Sequence, residues 1–134
     1  VIVDTSALVA IATREDGWEQ LVDTLEESLH TRMSTVTVLE LRTVLTAGYG
    51  QEHLADEFLR RYRIDPIDFT VEHSAEAARA HQRFGRGNHS ARLNFGDCAA
   101  YAAAKLAHEP LLYVGKDFAQ TDIESAIRDA SAGQ

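Results

Sequence analysis

The chain has 134 residues, 45% of them hydrophobic, a size and composition that fit one domain, residues 1–134, with a core of its own. Thirteen basic residues against 21 acidic ones give a net charge of −8, which excludes a protein that grips nucleic acid tightly through surface electrostatics alone. The single cysteine, Cys98, excludes an internal disulfide and a cysteine-built zinc site, and no apolar run approaches the ~20 residues of a membrane span, so a soluble protein of the reducing cytoplasm is expected.

The chain begins with Val1-Ile2-Val3, three β-branched residues that read as a buried strand, and Asp4-Thr5-Ser6 then turns into a helix. Trp18, Leu21, Val22, Leu25 and Leu29 recur at helical spacing, predicting an amphipathic helix over 16–30 with Glu19, Glu26 and Glu27 outward. Met33-Ser34-Thr35 predicts a short strand. Helices follow over 36–48, stopped by Gly48 and Gly50, and over 52–62 on Leu54, Phe58 and Tyr62. Ile64-Asp65-Pro66-Ile67 is a poorer strand, because proline suits an edge or a strand start. A helix over 72–84 leads into the glycine-containing loop Arg83 to Arg92. An alanine-dense helix, Cys98 to Leu106, then opens at Asp97, a strand covers 111–114, and a C-terminal helix ends the chain. Strands alternating with helices predict an α/β fold, a three-layer sandwich whose central, mainly parallel sheet is flanked by helices.

This order places four carboxylates suggestively. Asp4 and Asp117 follow the first and last strands, Asp97 opens a helix after a glycine, and Glu40 lies on the apolar stripe of its helix, four residues from both Val36 and Val44. Taken singly, each aspartate reads equally well as an N-cap, and Glu40 as the partner of Arg42. Taken together, acids at the carboxyl ends of parallel strands and at adjoining helix starts converge on one cleft. Four like charges held that close repel by on the order of several kcal/mol and protonate unless a cation sits among them. Oxygen donors without thiolates, and six histidines scattered with no HExxH-type pair, favour Mg²⁺ or Mn²⁺ over zinc. Metal-assisted phosphodiester hydrolysis is the chemistry that fits best. Arg86 and Arg92 in the glycine loop are candidate contacts to a phosphate backbone, against the ordinary reading of such a loop as merely solvated.

Asp4-Thr5-Ser6, Glu40, Asn94-Phe95-Gly96-Asp97-Cys98 and Gly115-Lys116-Asp117-Phe118, in that order, with Thr121-Asp122-Ile123 behind them, resemble a PIN-domain ribonuclease toxin of the VapC kind over essentially the whole chain. The resemblance implies an endoribonuclease in which the positions of Asp4, Glu40, Asp97 and Asp117 form the Mg²⁺ or Mn²⁺ site. Asp4 and Asp97 would be direct ligands, Asp122 a further acid bordering the site, and Ser6 a hydroxyl that steadies the first aspartate. It also implies an RNA substrate, an antitoxin whose helix fills a hydrophobic groove, and a frequent homodimer. Lys116 departs from the Asn or Asp common there and would either compete with metal or contact phosphate. Leu8, Ile11, Trp18 and Leu54 are apolar residues open to either a partner groove or the core.

Three competing readings keep a distinguishing feature. A phosphatase with an aspartate nucleophile expects a second acid two residues after Asp4, where Ser6 stands. A receiver-like signalling module would use Lys116 as its pocket lysine, but residues 64–69 offer no obvious phosphoacceptor. A metal-free binding domain would have to keep all four acids uncompensated.

Overall fold

The computed structural model describes residues 1–87 and 89–127. Its elements run β1 (Ile2–Val3), α1 (Thr5–Thr13), α2 (Trp18–Glu27), β2 (Thr31–Ser34), α3 (Thr35–Tyr49), α4 (Leu54–Arg61), β3 (Ile64–Ile67), α5 (Val71–Phe84), α6 (Phe95–Ala107) and β4 (Leu111–Leu112), followed by a 3-10 turn at Phe118–Gln120. The four strands form one all-parallel sheet in the order β3-β2-β1-β4. Ile2 stands opposite both Arg32 and Leu111, so β1 lies between the two halves of the chain.

Successive side chains of a strand point to opposite faces, and the core divides accordingly. Val3, Met33 and Leu112 pack on one side with Leu8, Leu21, Leu41 and Phe58 from α1 to α4. Ile2 and Leu111 pack on the other with Phe84 and Tyr101 from α5 and α6. Both faces are covered, as a parallel sheet requires, and the expected three-layer sandwich is present. Proline 66 sits in β3, which is an edge strand. The alanines of α6 are nearly all buried, which brings its backbone close to the sheet and to α5. Cys98 among them is a buried free thiol.

The path of the chain creates a crevice. From β1 it moves outward to β2 and β3 through helices on one face, then returns across the other face to β4, on the far side of β1. The direction of winding therefore reverses at β1, and the carboxyl ends of β1 and β4 are where a parallel sheet wound in this way forms its slot.

Several boundaries differ from expectation. The helix predicted over 16–30 is α2 alone; Gly17 at φ +91° starts it, and Ser28 in an extended conformation stops it. Leu29, assigned to the apolar stripe, is fully exposed because it lies beyond that stop. The last strand is two residues rather than four, since the backbone bonds past Leu112 are lost and the N–H of Val114 turns to the Ser6 hydroxyl. Residues 121–127, where the C-terminal helix is expected to begin, are not helical: Ser125 bridges Leu111, whose N–H donates to Glu124 O at 2.9 Å, and residues 128–134 lie outside the described residues. Leu8 and Ile11 are core, and Trp18 and Leu54 pack half-buried against it. No helix among the described residues is long and apolar enough to cross a membrane.

Leu41→Ala, in the centre of the larger cluster, should cost about 2–5 kcal/mol in denaturant unfolding. Leu29→Ala should change stability by less than about 0.5 kcal/mol.

Candidate active site

The slot is built around Asp4. It caps α1 in an extended conformation, and its Oδ2 accepts hydrogen bonds from the Ser6 N–H at 3.1 Å and the Ser6 hydroxyl at 2.6 Å. The same Ser6 oxygen accepts the Val114 N–H at 3.0 Å, so one hydroxyl ties the aspartate to the chain leaving β4. The other oxygen, Oδ1, is buried without any protein partner. Burial pushes the Asp4 carboxyl up to about 7; the Ser6 bonds oppose the shift, and the negative charges of Asp97 and Glu40 add to it.

Glu40 enters from the second turn of α3. Its Oε1 accepts the Thr5 hydroxyl at 2.6 Å. Its other oxygen lies so close to Gly96 that a Cβ there would stand 2.0 Å away. Asp97 is brought in by the start of α6. Asn94 is the N-cap, accepting the Asp97 N–H at 2.9 Å, while its own N–H donates to Asp97 Oδ2 at 3.1 Å, a reciprocal capping box. Burial raises the Asp97 carboxyl to about 6, the Asn94 bond works against this, and the charges of Asp117 and Glu40 raise it further. Asp117, exposed at the turn before the 3-10 segment, makes no side-chain cap bond and acts on Asp97 through its charge.

The four predicted acids therefore feel one another across a single slot. Asp4 caps α1 with its side chain, Asp117 stands at the cap position of the 3-10 segment without a side-chain bond, and Asn94 takes that role for α6 and leaves Asp97 in the third helical position. Glu40 is not the partner of Arg42, which pairs with Asp56 at 2.9 Å. Asp122 lies on the flank of α6, accepting the Tyr101 hydroxyl and the Lys105 ammonium, each at 2.7 Å, with Arg83 at 3.6 Å. Lys116 is exposed in its turn. Arg86 and Arg92 line an open depression of about 300 Å³ together with Asn94 and Asp117. Thr5, Asn94 and Gly96 escaped the sequence reading. A polar residue three positions before an acid signals the capping box, and a glycine inside a helical turn beside an acid signals close approach.

All the donors are oxygens, and the unpartnered Oδ1 of Asp4 is a buried polar atom that lacks a counter-group. This set fits a hard divalent ion that retains several waters. Among the described residues no three His, Cys, Asp or Glu side chains stand close enough together to hold a metal ion. The acids are coupled through space but open.

The PIN domain family model matches residues 1–124. The chain belongs to the PIN domain family. Within that family it is similar to Ribonuclease VapC36 of Mycobacterium tuberculosis, 46% identical over 129 residues, covering 92% of this chain and 91% of that protein. Ribonuclease VapC42 of the same organism is 41% identical over 94% of this chain and 98% of its own. The solved M. tuberculosis VapC20, a Sarcin-Ricin loop cleaving toxin, shares the PIN fold at a TM-score of 0.73 and 18% identity, over 96% of this chain and 98% of that one. A PIN domain with these relatives removes the ground for the phosphatase and receiver-like alternatives.

Two consequences are measurable. Asp4 and Asp97 hold protons in the fold, at about 7 and about 6, that the unfolded chain releases near its ordinary value of 3.8. Their contribution is complete below about pH 4 and disappears as pH rises through 7, so the melting temperature in EDTA should fall across that interval, and Asp4→Asn should flatten the fall. Gly96→Ala should leave the melting temperature within a few degrees, because helix propensity improves and the flexible Glu40 carboxylate yields. The displaced Glu40 should lower RNA cleavage on the order of tenfold or more, measured by initial rates.

Proposed function

We propose that this protein is a metal-dependent endoribonuclease, the toxin of a toxin–antitoxin pair, with Asp4, Glu40, Asp97 and Asp117 as its catalytic acids. The observation that carries the reading is the buried Asp4, one oxygen of which has no protein partner and whose ionisation Asp97 and Glu40 oppose. Such an arrangement is costly without a cation and is favoured with one. Asp4 and Asp97 would hold Mg²⁺ or Mn²⁺ directly, with Glu40 and Asp117 completing the shell or orienting its waters. The chemistry such an ion supplies is the activation of water and the neutralisation of charge on the attacked phosphodiester.

The chain's own residues set the conditions for that chemistry. Ser6 fixes one oxygen of Asp4 and leaves the other available. Thr5 and Gly96 together hold Glu40 at the slot, one through a hydrogen bond and the other by providing room. The Asn94 capping box fixes the rotamer of Asp97. Curated relatives named as VapC ribonucleases, at 41–46% identity over nearly all of this chain, support the reaction class.

The partner reading follows the same likeness. A toxin–antitoxin complex from Klebsiella pneumoniae shares the fold at a TM-score of 0.68 and 20% identity, covering 91% of this chain and 92% of that one. In this chain an apolar groove of about 450 Å³ runs between α5 and α6, lined by Phe69, Ala77, Ala78, Phe95, Cys98 and Ala99. Phe95 is 86% exposed and lies two residues from Asp97. An antitoxin helix seated in that groove brings its end to the acids, where a basic side chain would occupy the cation's place.

Purified protein incubated with total cellular RNA and Mg²⁺ or Mn²⁺ should produce discrete cuts that EDTA abolishes. Asp4→Asn and Asp97→Asn should each lower the rate on the order of a hundredfold or more while the far-ultraviolet circular dichroism is retained. Robust cleavage by both variants would remove the proposal.

A further inference from the structure

The described residues of the loop between α5 and α6 are tied together by backbone hydrogen bonds. The Leu93 N–H donates to Phe84 O and the Arg86 N–H to Leu93 O, each at 3.0 Å, so the two ends of the loop are clasped like paired strands. Inside it the His89 N–H bonds Gly85 O at 3.1 Å, and the Arg92 N–H bonds His89 O at 3.1 Å. The His89 ring accepts the Ala91 N–H at 2.9 Å on Nδ1 and stands edge-on to Phe84 at 5.2 Å. Ala91 and Leu93 are fully buried, so the loop is anchored from beneath.

What this scaffold displays is Arg86 and Arg92. Both are exposed, both line the 300 Å³ depression, and the far wall of that depression is Asp117, whose charge acts on Asp97. Among the described residues neither guanidinium has an acidic partner, a state shared by Arg14, Arg60 and Arg63, but only Arg86 and Arg92 line this depression. Arg92 also holds a left-handed backbone at φ +57°, a conformation that glycine or asparagine adopts at less cost. Arg14 and Arg63 share that conformation, so the place of Arg92 in the depression, not its backbone, is what bears on its side chain.

We propose that Arg86 and Arg92 form a two-arginine clamp for the RNA phosphate next to the scissile one, with His89 as the positioning residue that holds the clamp in shape. The proposal rests on the ribonuclease reading for the identity of the strand. With the scissile phosphate at the acids, the backbone leaves the slot past Asp117 and its next phosphate meets two planar donors suited to its oxygens. Contact to phosphate carries no base identity, so the clamp contributes affinity and register rather than sequence choice.

The test separates binding from cleavage. In an Asp97→Asn background with Mg²⁺ present, affinity for a labelled single-stranded RNA dodecamer is measured by fluorescence anisotropy across a salt series. Arg86→Ala and Arg92→Ala should each weaken binding on the order of tenfold and reduce the salt slope by about 0.7 per lost phosphate contact. The Lys variants should recover part of the affinity and the slope. Arg92→Gly relaxes the backbone, so it should keep or raise the melting temperature while weakening RNA binding as much as Arg92→Ala. His89→Ala should weaken binding in the same direction, and Arg79→Ala, a surface control paired with Glu76, should not. In the otherwise native chain the loop variants should raise KM far more than they lower kcat. Unchanged affinity and slope in both alanine variants would overturn the clamp while leaving the nuclease standing. Absence of cleavage by the native chain would instead overturn the nuclease reading, and the anisotropy result would still decide whether the loop holds RNA.

Discussion

The arrangement of the site depends on one hydroxyl. Ser6 donates to Asp4 and accepts from Val114, so it neutralises part of an unfavourable burial and fastens the end of β1 to the chain leaving β4. Without that bridge a carboxylate at 3% exposure beside two other acids would turn outward or remain protonated. With it the carboxyl group is kept in place, one oxygen satisfied and the other not. The folded protein thus maintains an electrostatic deficit at a defined point, and the surrounding elements are arranged to preserve it.

The remaining acids are added by topology rather than by local sequence. Glu40 comes from the helix after β2, Asp97 from the start of the helix that covers the other face, and Asp117 from the turn after β4. Because the winding reverses at β1, these elements meet only at the carboxyl edge of the sheet. Small residues permit the meeting. Gly96 leaves space for a carboxylate from α3, and the alanines of α6 let that helix lie low enough on the sheet to bring Asp97 down to the slot.

Much of this was legible in the sequence because it rests on patterns of short range. A β-branched run ending in Asp4, an acid on the apolar stripe of α3 and an alanine-dense helix after Asp97 each follow from periodicity and propensity. The misreadings come from features that periodicity does not encode. Leu29 continues the heptad-like spacing of α2, but the backbone becomes extended at Ser28 and takes it out of register. The strand expected over 111–114 is cut short by a hydrogen bond to a side chain 108 residues away. Asp97 looked like a cap because the reciprocal partner, Asn94, satisfies the same rule three residues earlier. The pairing of Arg42 with Asp56 is a tertiary choice between α3 and α4 that no local spacing distinguishes from a bond to Glu40.

Cys98 follows Asp97 directly and is 3% exposed. Burial first, and the neighbouring negative charge second, push its thiol up to about 11, so at neutral pH almost none is thiolate. Oxidants and alkylating reagents therefore find no nucleophile beside the acids.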